Sequence, residues 1–379
     1  MDLAQPRRLT LDTSHWANLI RDAVSPSSAM RDKARSFPDR LLDQGYVLTL
    51  AFHHLEELLN HDKEDLAEAR LAYMLDLPFI AWLRSARAPH GPGAITDIMA
   101  AEAVAQCEGA SSLTAVRDRV RPDLFRYGAA REALGDPDLW RQLRPLLRAS
   151  ARRARTIAAI APMTFGNGQA PLSALISSRF RTPEDSHRTL AAMQAAMGQE
   201  IASKGDGRIQ RPHEIAAEFF NDVADMRPWE ETDIWEFIVR TSEARGVRRE
   251  ELRLDMTNDE LGDLCVFRSQ LAVIAEATGR PFEVLRGTVT MEHCPHWVLT
   301  KALDRSRQEG LRRPGSDVND GYLAALAPYV DRLYVDKRRL ENFRRATPGM
   351  LELRGLLCDV VRAAHYWEIP NQLNTLKGA

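Results

Sequence analysis

Short apolar runs mark both ends of this chain, and the long middle is written in a helical period. Near the start, Arg8-Leu9-Thr10-Leu11 is short, rich in strand formers and closed by Asp12, which predicts a strand. Asp12-Thr13-Ser14 then offers cap residues for a helix beginning near His15-Trp16. Tyr46-Val47-Leu48-Thr49-Leu50 predicts a second strand, running into the helical string Phe52 to Leu59, and the helical pattern resumes over Leu71 to Leu75. Leu77 to Leu83 predicts a third strand, with Pro78 fitting only its start. At the far end, Trp297 to Gln308 predicts a helix and Gly310 to Ser316 a polar loop. Asp317-Val-Asn-Asp320 precedes an apolar helix, Tyr322 to Ala327, and Arg332 to Val335 predicts a strand closed by Asp336-Lys337.

Between these ends the pattern is helical from about Gly93 to Pro295, broken at Gly135-Asp-Pro137, Gly166-Asn-Gly168, Gly205-Asp-Gly207 and Gly279-Arg-Pro281. Strand–helix alternation at both ends predicts an α/β core with a mainly parallel sheet. The core is expected in two halves, 1–86 and 296–379, separated by a large all-helical insertion over 87–295.

With 379 residues, 44% hydrophobic and 27% charged, the chain has enough apolar surface for a sizeable core. No apolar run approaches the ~20 residues that span a bilayer. The opening Met1-Asp-Leu-Ala-Gln-Pro-Arg-Arg has no secretory pattern, so no membrane partner and a cytoplasmic location are expected. Cys107, Cys265, Cys294 and Cys358 lie far apart and form no CxxC pair, which argues against a structural zinc site built on cysteine. His293-Cys294-Pro-His296 places three soft donors in four residues. So short a string chelates one ion poorly without a distant partner, and turn and packing roles are the plainer expectation.

The net charge of −2 argues against a protein that coats long duplexes. Local charge is different. Arg141, Arg144, Arg148, Arg152 and Arg155 fall at intervals of three and four, so on a helix they share one face. Such a stripe either tracks a phosphate backbone or is a solvated face paired with acids. Trp229, Trp235, Phe219 and Phe220 have the chemistry to stack on bases, although their helical spacing beside Leu and Val favours packing.

The acids carry the chemistry. Asp12, Asp317/Asp320 and Asp336 stand where a strand meets a helix or a helix begins, and Glu56/Glu57 lie on the first turns of a helix after a strand. In a parallel α/β sheet the carboxyl ends of the strands share one edge, where sites form. Carboxylates crowded there repel one another unless a cation neutralises them. Oxygen-only donors suit magnesium and manganese, which polarise water and stabilise charge on a phosphodiester. Asp12, Asp317 and Asp320 equally suit helix N-caps.

Three strings together resemble the PIN and PIN-like nucleases. These are Leu9-Thr-Leu-Asp12-Thr-Ser, Leu48-Thr-Leu-Ala-Phe-His-His-Leu-Glu-Glu57-Leu-Leu, and Ser316-Asp317-Val-Asn-Asp320 through Asp331-Arg-Leu-Tyr-Val-Asp336-Lys337. The resemblance covers both ends and not the middle. It implies a metal-dependent nuclease, foremost an endoribonuclease, using Mg2+ or Mn2+ and taking RNA ahead of DNA as partner. Asp12 matches the family's first acid. Glu57 fits the second better than Glu56, because Leu58 follows it. Asp320 matches the third, with Asp317 a further ligand or cap, and Asp336 matches the fourth. Where the family often has Thr two residues before that last acid, this chain has Tyr334. The competing expectation is a catalytically silent scaffold of the same fold, whose helical insertion binds a protein partner or a second copy.

Overall fold

A computed structural model describes residues 6–88, 91–160, 167–176, 183–225, 234–306 and 316–375. The chain divides into two compact units. The first is Met1–Ala151 with Gly287–Gln308 and Asn319–Ala379; the second is Arg152–Arg286 with Glu309–Val318.

The first unit is α/β, built on a six-stranded sheet. Its strands are β1 (Arg7–Leu11), β2 (Tyr46–Leu50), β3 (Ile80–Leu83), β4 (Phe125–Gly128), β5 (Arg332–Tyr334) and β6 (Asp359–Val361). Their order is β4-β3-β2-β1-β5-β6. All neighbours are parallel except β4, which runs antiparallel to β3. Every residue of β2, β3 and β5 is buried, as is β1 after Arg7. Strands covered on both faces need apolar side chains in both directions, which is why these read as runs rather than as alternation. Leu9, Leu11, Leu48, Leu50 and Tyr334 join one apolar cluster, whereas Leu83, Phe125, Leu333 and Val335 join another.

The chain winds outward from β1 through β2 to β3 and later returns to the other side of β1 as β5 and β6. The order therefore reverses at β1, and the carboxyl ends of β1 and β5 flank that switch point. Crevices open there in wound α/β sheets.

Several expectations need correction. The stretch expected as an all-helical insertion supplies β4, whose register pairs Phe125 with Leu83 and Gly128 with Ile80. Four residues between arginine-rich helices are too few to show a strand period. The strand β6, paired with β5 from Arg332↔Asp359 to Tyr334↔Val361, also went unforeseen. The helix expected at Tyr322–Ala327 instead spans Ser316–Ala324, so Asp317 and Asp320 lie within it rather than before it. The helix expected from Trp297 begins at Pro295, where proline's missing N–H costs nothing. The residues 307–315, holding most of the predicted polar loop, and Trp229 lie outside those described.

The elements of the second unit are helices, with an isolated bridge between Pro171 and Thr257. Helices Pro183–Lys204 and Pro212–Asp225 pack together, burying Met197, Ile201, Ala216 and Phe220. Phe220 is therefore core, while Phe219 stays partly open and meets it edge-on at 5.4 Å. Among the described residues, no helix is long and apolar enough to cross a membrane.

Candidate functional site

Asp12 leaves the carboxyl end of β1 and caps helix Thr13–Ala23. Its Oδ1 accepts from the Ser14 hydroxyl at 2.9 Å, from the His15 N–H at 2.8 Å, and from His15 Nδ1. His15 Nε2 lies 3.1 Å from the Ala363 carbonyl just beyond β6. Burial works to raise the Asp12 carboxyl, but its hydrogen bonds and charge contact with His15 outweigh that and hold it below the ordinary value. Burial works to lower the His15 imidazole, and Asp12 reverses the direction and raises it. With a carboxylate at Nδ1 and a carbonyl at Nε2, the ring has an acceptor facing each nitrogen.

The backbone joins the two ends of the sequence here. The Asp12 N–H donates to the Tyr334 carbonyl at 3.0 Å, and Leu11 pairs with Tyr334 in the sheet. Asp336, two residues beyond Tyr334, caps helix Lys337–Gly349 by accepting from the Arg339 N–H at 2.6 Å. Cap roles thus fall on Asp12 and Asp336.

Glu56 and Glu57 sit side by side on helix Phe52–Leu59 but in different surroundings. Glu56 Oε2 lies 3.2 Å from His53 Nδ1, and its Oε1 accepts from the Ser150 hydroxyl. Burial works to raise Glu56, and His53 and Ser150 outweigh it to leave the carboxyl lowered. Glu57 goes the other way. Burial raises it, and the charges of Asp12 and Glu56 add to the effect against the opposing pull of the Thr13 hydroxyl and Arg70. Its buried Oε2 has no hydrogen-bond partner among the described residues.

Asp320 is the most perturbed of the acids. Burial, then the charges of Glu57, Asp336 and Asp12, push it up to about 7 against the pull of Arg339. Charges influence one another this way only at short range. The structure brings Asp12, Glu57, Asp320 and Asp336 into one electrostatic neighbourhood, drawn from four separate segments. Asp317 stands one turn earlier on the Asp320 helix. Asp331 plays another part: it accepts from the Arg8 N–H at 2.7 Å and from Arg121 at 2.5 Å, tying the start of β1 to β5.

Sequence reasoning missed three side chains here. His15 stands three residues after Asp12, a spacing that brings side chains together on a helix. His54 is fully buried; its Nε2 donates to the Leu11 carbonyl at 2.9 Å and its Nδ1 accepts from the Ala51 N–H at 3.0 Å. Burial lowers it to about 4, so it is a neutral brace between β1 and the Glu57 helix. Arg339 is buried and carries the positive charge felt by Asp320. Lys337-Arg338-Arg339 reads in sequence as a solvated run, and nothing local distinguishes its third member.

The arginine stripe lies on helix Pro137–Ile160. Arg141 pairs with Glu68 and Asp138, Arg144 donates to the His61 carbonyl at 2.8 Å, and Arg148 pairs with Asp62 at 2.7 Å. Arg152 and Arg155, on the same helix, belong to the second unit. No family model, characterised protein or solved structure matches the chain.

Proposed function

We propose that the chain is a metal-dependent nuclease of PIN-like architecture, cutting RNA ahead of DNA, with Asp12, Glu57, Asp320 and Asp336 as its acids. One observation carries this reading: Asp320 is pushed up to about 7 by burial and by the three other carboxylates. A protein gains nothing in stability from burying like charges together, and perturbed groups at a crevice are the usual mark of a working site. The donor set is all oxygen, which suits Mg2+ or Mn2+. When bound, such an ion polarises water and offsets charge developing on the phosphodiester.

The protein's own groups have separable tasks. Glu57 keeps an unpartnered oxygen, so it is the better ligand, while Glu56 is held by His53 and Ser150. His15 and Ser14 occupy one oxygen of Asp12 and fix its orientation. Arg339 stabilises the Asp320 charge and is the nearby cation suited to meeting a phosphate oxygen. Tyr334 packs into the core instead of presenting a hydroxyl at the edge, so ordering of the water falls to the carboxylates.

The test is a matched pair of RNA and DNA strands incubated with purified protein and Mn2+. Cleavage of RNA in excess of DNA, abolished in Asp12→Asn, is the expected result. Equal activity in wild type and Asp12→Asn would refute the assignment. The capping roles of Asp12 and Asp336 favour a second reading, a catalytically silent scaffold binding a protein partner. Calorimetric titration with Mn2+ separates the two, since tight binding lost in Asp320→Asn excludes the silent form.

A further inference from the structure

The four-residue string His293-Cys294-Pro-His296 gains in the fold the distant partner it lacks in sequence. Helix Ile95–Cys107 carries Glu102, whose side chain is wholly buried, to the start of helix Pro295–Arg305. There Cys294 and His296 are buried as well, and one donor atom from each of the three residues lies within 4.8 Å of the others. All three belong to the first unit and none contributes to the acid cluster at the sheet edge.

We infer that Glu102, Cys294 and His296 form a structural binding site for a zinc-like dication. The thiolate, imidazole and carboxylate set is the mixed donor chemistry that zinc takes, at bond lengths of roughly 2.0–2.3 Å. Tetrahedral bonds of that length put donors less than about 4 Å apart, so the three residues close on the ion by a shift of about 1 Å. The surroundings are those of a supported site. Tyr329 donates to Glu102 Oε1 at 2.5 Å, and the His296 N–H donates to the same oxygen at 3.0 Å. Gln106 Nε2 donates to Cys294 Sγ at 3.1 Å, Gln106 Oε1 is held by the Thr290 N–H at 2.9 Å, and the thiol donates to the Thr290 carbonyl at 3.2 Å, a contact that ligation replaces. Donors aimed at a ligating carboxylate and sulfur fix their orientation and offset their charge.

The two ring nitrogens of His296 differ, and a cation shared with Glu102 takes Nδ1 in place of its contact with that carboxylate. His296 Nδ1 lies 2.5 Å from Glu102 Oε2, yet its Nε2 is buried with no hydrogen-bond partner among the described residues. With a cation taken at one ring nitrogen, the cysteine releases its thiol proton to solvent and the imidazole keeps at most one. The site's remaining position is open to the Tyr329 hydroxyl or water.

The test uses the full chain loaded with Zn2+ or Co2+ and dialysed to remove loose metal. The expected result is about one retained zinc per chain and, in the cobalt form, thiolate-to-cobalt charge-transfer absorption. That absorption should persist in Cys107→Ser/Cys265→Ser/Cys358→Ser and in Asp12→Asn, and vanish in Cys294→Ser. Loss of nuclease activity in Asp12→Asn with the cobalt band intact keeps this site separate from the acid cluster. Absence of the band in wild type, or its survival in Cys294→Ser, would overturn the assignment and leave a hydrogen-bonded network alone. If Cys294→Ser fails to fold, the band in Cys107→Ser/Cys265→Ser/Cys358→Ser still decides the matter, because Cys294 is the one cysteine left.

Discussion

Two groups of buried carboxylates stand in the same α/β unit and are treated in opposite ways. Glu102 is a single acid wholly out of water, with donors from Tyr329, the His296 backbone and the His296 ring. The sheet edge instead gathers Asp12, Glu57, Asp320 and Asp336, leaves Glu57 Oε2 unpartnered and pushes Asp320 up to about 7. A buried charge is tolerable when paired and hydrogen-bonded, and costly otherwise. Glu102 therefore knits two helices together, whereas the edge acids are held in conflict by a fold that could have spared them. Conflict retained at a switch point of the sheet is the signature of a site shaped for something other than stability.

The first way to break this contrast is to remove the satisfied acid. Glu102→Ala leaves the His296 ring and the Tyr329 hydroxyl buried without their partner. Deleting one member of such a pair costs about 3–5 kcal/mol, so denaturant melts of the metal-free protein should shift strongly downward. A loss under about 1 kcal/mol, below the typical cost of one buried unsatisfied group, would show that Glu102 holds nothing in place.

The next sharpening sets neighbours against each other. Glu57→Gln should lower Mn2+-dependent cleavage by at least about 100-fold, since even groups behind the ligands are worth 10–100-fold. Glu56→Gln, which disturbs only the contacts with His53 and Ser150, should cost less than about 10-fold by the same scale. Equal losses would place both carboxylates on the ion.

How much of this was visible in the chain depends on where the information sits. Strands β1 and β2 are continuous apolar runs closed by an acid or by a helix, and both were legible within a residue. Asp12 and Asp336 were legible for the same reason: a strand end in a parallel sheet delivers its next residue to a known edge. β4 and β6 were not, because strands of four and three residues carry no measurable period and depend on a partner strand for definition. Glu102 was invisible. It is one acid on an Ala-rich helix, and its significance comes from Cys294 and His296, nearly two hundred residues away. Arg339 was likewise hidden inside a basic run, since burial is a property of the fold and not of the string.

The edge acids also predict how stability changes with pH. Asp320 titrates near 7 in the folded chain, against an ordinary value of 3.8. Between those values the folded state binds more protons than the unfolded state, so stability falls as pH rises from about 4 to about 7 and then levels off. Three pH units nominally correspond to about 4 kcal/mol, and partial solvent access reduces this to roughly 2 kcal/mol. Asp320→Asn should therefore raise the Tm of metal-free protein at pH 8 and lose that advantage below pH 4. Saturating Mn2+ should remove the difference at pH 8 by stabilising only the wild type. A mutant no more stable than wild type at pH 8 without metal would mean that the four acids do not burden one another.

The smallest effect is expected from the arginine stripe, where Arg141, Arg144 and Arg148 are already matched. Arg148 reaches Asp62, and Arg144 is held by the backbone carbonyls of His61 and Asp62 with Glu64 at 3.8 Å. A phosphate would have to displace these partners, and exposed ion pairs exchange at little net gain. Changing Arg144, Arg148 and Arg152 together to Ala should thus weaken binding of a single-stranded RNA by less than about 3-fold at 0.15 M salt. It should leave Mn2+ affinity untouched. The salt series discriminates more sharply than affinity alone. Three lost phosphate contacts on a single strand would flatten the slope of log K against log salt by about 2. A slope unchanged within about 0.5, less than one contact's share, means the stripe is a paired surface. A flattening near 2 would instead make the helix Pro137–Ile160 part of the substrate path, with its acids serving only as placeholders in the unliganded protein.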